Sequence, residues 1–138
     1  ACEQFAPASA VYNAKGYNGN GYVQISTTAN RQLNFVVAVA KDGMYRIDFR
    51  YANGNGPVNT LNKCGIRSLY IDQLEAGTFI FPQRGQDAWS NWGYSNTMSV
   101  YLTAGKHRFS LRLEPFNENM NGEINEALLD EMRMIWVK

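Results

Sequence analysis

From Met44 to Tyr51 the chain alternates without a break, with Tyr45, Ile47, Phe49 and Tyr51 on one side and Arg46, Asp48 and Arg50 on the other. A period of two sends successive side chains to opposite faces, so the segment predicts a strand with one face in a core and one toward solvent. Lys106 to Leu113 repeats the pattern: His107, Phe109, Leu111 and Leu113 stand opposite Arg108, Ser110 and Arg112. Leu33 to Ala40 is a nearly continuous apolar run rich in valine, which predicts a central strand covered on both faces. Shorter strands are predicted over Tyr22 to Thr27, Ile66 to Asp72, Thr78 to Phe81 and Thr97 to Thr103. Turn signals separate them at Lys41-Asp42-Gly43, Asn53-Gly54-Asn55-Gly56-Pro57, Glu75-Ala76-Gly77 and Thr103-Ala104-Gly105-Lys106. Asp-Gly and Asn-Gly pairs supply the positive φ that tight turns require. No segment carries a convincing helical period. The last stretch, NEALLDEMRMIW from Asn125 to Trp136, is ambiguous, because its composition suits a helix. Many short strands with Gly-rich turns predict an all-β fold, two antiparallel sheets packed as a sandwich or jelly roll.

The chain has 138 residues, which fits one domain, 1–138. With 45% hydrophobic and 18% charged residues it can bury a real core. Its 13 basic and 12 acidic residues nearly cancel, to a formal charge of +1. That balance gives no electrostatic reason to expect nucleic acid or an anionic membrane. No apolar run is long enough for a helical membrane span. Cys2 and Cys64 read either as free thiols or as one disulfide joining the N-terminus to a central loop. They have no second ligand at metal-binding spacing.

The catalytic inventory is thin. His107 is the one histidine, and it lies on the apolar face of a predicted strand, so it reads as a residue of the core rim. The nucleophile-elbow and zinc-protease motifs are absent. Glycoside hydrolysis needs only a pair of carboxylates, and Glu123, Glu126, Asp130 and Glu131 lie close in sequence. Pairs of this kind arise by chance among 12 acids. The glycine-rich GYNGNG from Gly16 to Gly21 and NGNGP from Asn53 to Pro57 precede no helix with a lysine, so they read as loops.

Sugars present apolar C–H faces and many hydroxyls, so a sugar site pairs exposed aromatic rings with amide, carboxylate or guanidinium groups. Gln83 to Asn96, QRGQDAWSNWGYSN, has that composition, with Trp89, Trp92 and Tyr94 among polar residues. The polar neighbours of Trp89 favour its exposure; Trp92 reads equally as a site residue or as a plug in the core. Arg31, Arg67 and Arg84 are candidates for pairing with an acidic sugar, beside the plainer reading of each as a surface residue.

At this level the sequence resembles the galactose-binding-like carbohydrate-binding modules, families 6 and 35. The resemblance rests on Arg50-Tyr51-Ala52-Asn53-Gly54, on Trp89-Ser90-Asn91-Trp92, on Leu102-Thr103-Ala104-Gly105-Lys106-His107, and on Leu128-Leu129-Asp130-Glu131-Met132, in that order over nearly the whole chain. It implies a galactose-binding-domain-like jelly roll, a sugar site in the loops at one end, and a strand over Leu128 to Val137 despite its helical composition. It implies an extracellular, periplasmic or cell-surface setting beside a catalytic domain of a glycan-degrading protein, with an oligo- or polysaccharide as partner. It also implies a structural Ca²⁺, for which Asp130 matches one ligand and Glu3 another, while Ala1 stands where a further glutamate is expected. The expected sugar contacts are Tyr17 or Tyr22 and Trp89 or Trp92, with Asn53, Arg67 and Asn125. Where such modules often place an asparagine, this chain has Leu128, so Asn121 to Glu126 is expected to form a remodelled site wall. A non-catalytic sugar-binding module is the first expectation. A structural accessory domain that has lost its sugar site is the alternative, and a small hydrolase using the late carboxylates is the third.

Overall fold

The structure is a computed structural model and describes residues 1–58 and 61–138. In chain order its strands are β1 (Val23–Ile25), β2 (Gln32–Val39), β3 (Gly43–Ala52), β4 (Asn55–Gly56), β5 (Gly65–Ile71), β6 (Leu74–Phe81), β7 (Gly85–Gln86), β8 (Gly93–Tyr94), β9 (Met98–Leu102), β10 (Gly105–Arg112) and β11 (Ala127–Trp136). Short 3-10 turns occur at Cys2–Gln4, Val11–Asn13 and Pro115–Asn117, and no α-helix occurs among the described residues. One sheet runs β1-β11-β3, with β8 and β9 both pairing the far side of β3; the other runs β2-β10-β5-β6; β4 and β7 form a small ribbon. Every pairing is antiparallel. The chain is an all-β sandwich.

Its core lies between the two sheets and follows from the alternation. β3 sends Tyr45, Ile47, Phe49 and Tyr51 inward, and β10 sends Phe109 and Leu111 to meet them. Phe49 meets Phe79 and Phe81 edge-on, at ring-centroid distances of 5.1 and 6.0 Å, a geometry that matches ring edges to ring faces. The last stretch is a strand, as the resemblance implied, because Ala127, Leu128 and Leu129 are wholly buried between neighbours that only a sheet supplies.

Two expectations need correction. Leu33 to Ala40 is not a central strand: β2 is the edge of its sheet, with Leu33, Phe35 and Val39 buried and Val36 60% exposed. Its valines fit a pleated surface wherever they face, so apolar continuity over-reported burial. Glu75 to Gly77 is not a turn either but part of β6. The chain reverses at Asp72 and Gln73, both with positive φ (51° and 71°); aspartate and glutamine there carried too little turn signal. Cys2 and Cys64 are free thiols, Cys2 in the core and Cys64 half-buried.

Candidate functional site

At one end of the sandwich the chain leaves β3 through Asn53 and Gly54. A Cβ on Gly54 would lie 2.7 Å from the Ala88 amide and 2.8 Å from the Trp89 ring, so only glycine lets the tryptophan seat. Trp89 is 7% exposed and joins Ala14, Tyr22, Ala52 and Leu128 in a small second core. Tyr12 lies flat against it, centroids 3.8 Å apart and planes 2° from parallel. Tyr12 has φ 59°, and its hydroxyl donates to the two carboxylate oxygens of Glu126 at 3.0 and 2.9 Å. Glu126 also accepts from Gln24 Nε2 at 2.7 Å and from Asn55 Nδ2 at 3.3 Å. Burial, with the carboxylate beside it, pushes the Tyr12 phenol up to about 12, so it remains a donor at neutral pH. The ring is thus fixed by a stack on one face and by its hydroxyl, yet the residue stays 44% exposed. Chemically this is a rigid aromatic platform edged by amide and carboxylate groups.

The structure redistributes the sugar contacts expected from the sequence. Tyr17 is exposed and meets Tyr22 edge-on at 5.3 Å. Tyr22 is buried; its hydroxyl donates to the Val11 carbonyl at 2.7 Å and accepts from the Ala14 amide at 3.1 Å, which shapes the loop that carries Tyr12. Trp92 is half-buried, tilted against Tyr22, and donates Nε1–H to the Lys15 carbonyl at 2.6 Å. Trp89 is interior rather than exposed, because Tyr12 covers it. Asn53 is wholly buried: its amide donates to the carbonyls of Lys63 and Phe81 at 3.1 and 2.9 Å, and its oxygen accepts from Asn55 at 3.1 Å. Arg67 is equally buried and bonds Asn125 Oδ1, the Asn125 carbonyl and the Ser26 carbonyl. Burial and nearby Arg31 bring its pKa down to about 10, still protonated at neutral pH. Held by Asn125 and by the Ser26 and Ile66 carbonyls, all neutral groups, Arg67 braces the chain before β11 together with Asn125, and neither is open to a sugar carboxylate.

The expected metal ligands converge on another loop. A bulge between Leu129 and Glu131 turns Asp130 into the interior, the re-aiming that an extra residue in one strand produces. Asp130 Oδ1 accepts the Asn18 amide at 2.9 Å and Oδ2 pairs with Arg50. Burial pushes the Asp130 carboxyl up, against the pull of Arg50. Glu3 Oε1 accepts the Asn20 amide at 2.9 Å, while its Oε2 is buried without a hydrogen-bond partner. Glu3 and Asp130 therefore grip the same Gly16–Gly21 loop, and an orphaned carboxylate oxygen there fits a hard cation.

No protein-family model matches the sequence. A Niallia circulans cycloisomaltooligosaccharide glucanotransferase is 33% identical over 125 residues, 90% of this chain and 12% of that protein. The chain spans about a tenth of the length of the curated relatives it matches. Among solved structures, a Paenibacillus sp. cycloisomaltooligosaccharide glucanotransferase complexed with cycloisomaltoheptaose superposes with a TM-score of 0.63 at 27% identity, over 87% of this chain and 15% of that one. A family 35 carbohydrate-binding module from Clostridium thermocellum superposes with a TM-score of 0.65 at 17% identity, over 90% of this chain and 84% of that one. The chain has the family 35 carbohydrate-binding module fold.

Within this family 35 fold, the platform residues Tyr12, Gln24 and Asn55 were not legible in the sequence. Tyr12 lies in a short turn with no periodic neighbours, and nothing local announces its stack with a tryptophan far along the chain. Glu126 had a signal, as the last acid of the polar run expected to form a remodelled wall. Just ahead of that run Asn119 braces it, donating to the Cys64 and Ile124 carbonyls at 2.7 and 2.6 Å.

Proposed function

We propose that the chain is a non-catalytic carbohydrate-binding module of a larger glucan-active protein, working outside the cytoplasm, and that a sugar ring lies on the open face of Tyr12. The observation that carries this reading is the exposed Tyr12 ring held flat on Trp89 and by Glu126. Pre-ordered aromatic surface binds with little entropy cost, and Gln24 and Asn55 stand beside it as amide partners for hydroxyls. Of the late acids, Glu126 is held by neutral donors and Asp130 by Arg50 and Asn18, so neither offers a free catalytic carboxylate. The glucanotransferase relatives suggest α-linked gluco-oligosaccharides as first ligands. Calorimetric titration with cycloisomaltoheptaose and linear isomalto-oligosaccharides tests the reading. Binding that Tyr12→Ala abolishes supports it; no binding to these or to other plant and microbial glycans, by a well-folded protein, overturns it.

The burial of Trp89 and Leu128 supports a second reading, a structural accessory domain without a sugar site. Binding on Tyr12 excludes it.

The Glu3–Asp130 corner supports a structural calcium site in the same proposal. Those two carboxylates would hold the ion through oxygen, with backbone carbonyls or water, since no group of three or more acidic, histidine or cysteine side chains assembles among the described residues. The ion would supply positive charge that fixes the N-terminal turn against β11.

A further inference from the structure

Five Asn–Gly pairs punctuate the chain: Asn18-Gly19, Asn20-Gly21, Asn53-Gly54, Asn55-Gly56 and Asn121-Gly122. Such a pair carries its own reaction. Glycine has no side chain to block the way, so its backbone nitrogen can reach the asparagine Cγ. The nitrogen loses its proton and attacks. An N–Cγ bond forms, the Cγ–Nδ2 bond breaks, and ammonia leaves with the proton. The five-membered succinimide then takes up water. Opening at Cγ gives aspartate, and opening at the former peptide carbonyl gives isoaspartate. Water is the one co-reactant, and nothing is oxidised or reduced.

The step needs a mobile amide and an accessible glycine N–H, so burial and hydrogen bonds on either suppress it. Asn53 is wholly buried, with its amide bonded to the Lys63 and Phe81 carbonyls and its oxygen to Asn55. Asn55 and Gly56 form β4 against β7, and Asn55 Nδ2 donates to Asn53 Oδ1 at 3.0 Å and to Glu126 at 3.3 Å. Asn121 Oδ1 accepts the Glu123 and Ile124 amides at 3.2 and 2.9 Å, and the nitrogen that would attack, that of Gly122, donates to Asn119 Oδ1 at 3.2 Å. Gly21 is buried under Ala8, where a Cβ would come within 2.6 Å, so the Asn20 pair has a shielded nucleophile.

Asn18-Gly19 is the open pair. Both residues are exposed, and Gly19 sits in a turn with φ 67°. The Gly19 N–H has no acceptor among the described residues. The Asn18 side chain makes one hydrogen bond, Nδ2 to Glu131 at 3.2 Å on the surface. Its surroundings also give the reaction a structural effect. The Asn18 amide is held by Asp130 and the Asn20 amide by Glu3, each at 2.9 Å. An isoaspartyl link at position 18 inserts one backbone atom between those two anchors, so both hydrogen bonds cannot keep their geometry. The new carboxylate also replaces a donor to Glu131 with a like charge.

We propose that Asn18 is a self-modification site: in the folded protein it deamidates with time while the other four Asn–Gly pairs are protected, and the product loosens the 16–21 loop from Glu3 and Asp130. The proposal depends on neither the sugar nor the calcium reading.

The test is incubation of the intact chain at mildly alkaline pH, where the glycine nitrogen is deprotonated more often, followed by digestion with trypsin. Cleavage after Lys15, Arg31, Arg50, Lys63, Arg112 and Arg133 puts the pairs in separate peptides, 16–31, 51–63 and 113–133, and fragment spectra place the one-dalton gain within each. The same incubation in denaturant shows how every pair reacts once unprotected. In the folded protein the gain should appear at Asn18, with the other four pairs slower by at least about tenfold because each must first open a packed or hydrogen-bonded site. An isoaspartyl methyltransferase should label the 16–31 peptide, and the melting temperature should fall as the label rises. Asn18→Gln closes the ring far more slowly and should abolish the gain, the label and the fall; Asn20→Gln should leave all three. No gain at Asn18 in the folded protein while the denatured control reacts, similar rates at all five pairs in the folded protein, a gain that Asn20→Gln removes, or fully modified protein that melts like fresh protein would each overturn the proposal.

Discussion

In the proposed site the two rings in contact, Tyr12 and Trp89, have different roles, binding for Tyr12 and stability for Trp89. Trp89 fills the second core against Gly54, Tyr22 and Leu128, so Trp89→Ala opens a cavity and costs about 3–5 kcal/mol. Tyr12 covers that core from outside, so Tyr12→Ala is expected to lower the melting temperature far less while removing glycan binding. Tyr12→Phe keeps the stack and loses the tie to Glu126; it should bind more weakly than wild type and more tightly than Tyr12→Ala. A Trp89→Ala protein that melts like wild type, seen by calorimetry, would show the stack to be ornamental. The thiols divide in the same way. Burial pushes both thiols up, but Cys2 is wholly buried and its pKa is far up, whereas Cys64 is half-buried and remains reachable. Thiolate supply and access govern alkylation, so mass spectrometry should find Cys64 modified in the native protein and Cys2 only after unfolding.

Between strands, His107 on β10 closes the end of the sandwich opposite β4. One ring nitrogen lies 2.7 Å from the Thr103 carbonyl and the other 2.6 Å from Asp72 Oδ2, and Asp72 Oδ1 accepts the Arg108 amide at 2.9 Å. The Thr103 carbonyl first, and Asp72 second, raise the histidine above its ordinary 6.5. The Arg108 amide and His107 lower Asp72 below its ordinary 3.8. A raised histidine stabilises the fold fully below 6.5 and loses that as pH rises through its folded value; a lowered aspartate stabilises above 3.8 and loses that as pH falls. The clasp is therefore complete from about pH 4 to 6.5. The melting-temperature gap between wild type and His107→Gln should be widest near the top of that window and narrow at alkaline pH; a gap independent of pH would exclude the clasp. The sequence placed His107 on the core rim, and its alternation with Phe109 and Leu111 was enough for that. It did not reveal Asp72, because the pairing depends on a turn that Glu75-Ala76-Gly77 disguised. The same limit explains β2: alternation located β3 and β10 within about a residue, whereas a run of valines fixes extended structure but not which faces are covered.

Over the whole molecule, what could be read early was what local patterning determines, and what stayed hidden was contact between distant loops. Asn53, Arg67 and Asn125 were legible as polar residues near the site end, but polarity alone does not tell a sugar contact from a buried brace. Glu3 and Asp130, expected as metal ligands, both hold the loop between Asn18 and Asn20, and the bulge at Asp130 turns its carboxylate toward that loop. Without a cation, the fold carries an unpartnered buried oxygen on Glu3 and a carboxyl on Asp130 that burial disfavours as an anion. A ligand that binds only the folded state stabilises it by about 2.7 kcal/mol at a hundredfold excess over Kd. Calcium should therefore raise the melting temperature and a chelator lower it, with Mg²⁺ much less effective because it demands a tighter octahedron and gives up water reluctantly. Asp130→Asn and Glu3→Gln should each reduce the calcium-dependent shift, and Asp130→Asn should also loosen Arg50 and lower the metal-free baseline. A melting curve indifferent to calcium and chelator alike would assign the corner to Arg50 and the Asn18 and Asn20 amides alone, and would leave the Glu3 oxygen as a cost the fold carries uncompensated.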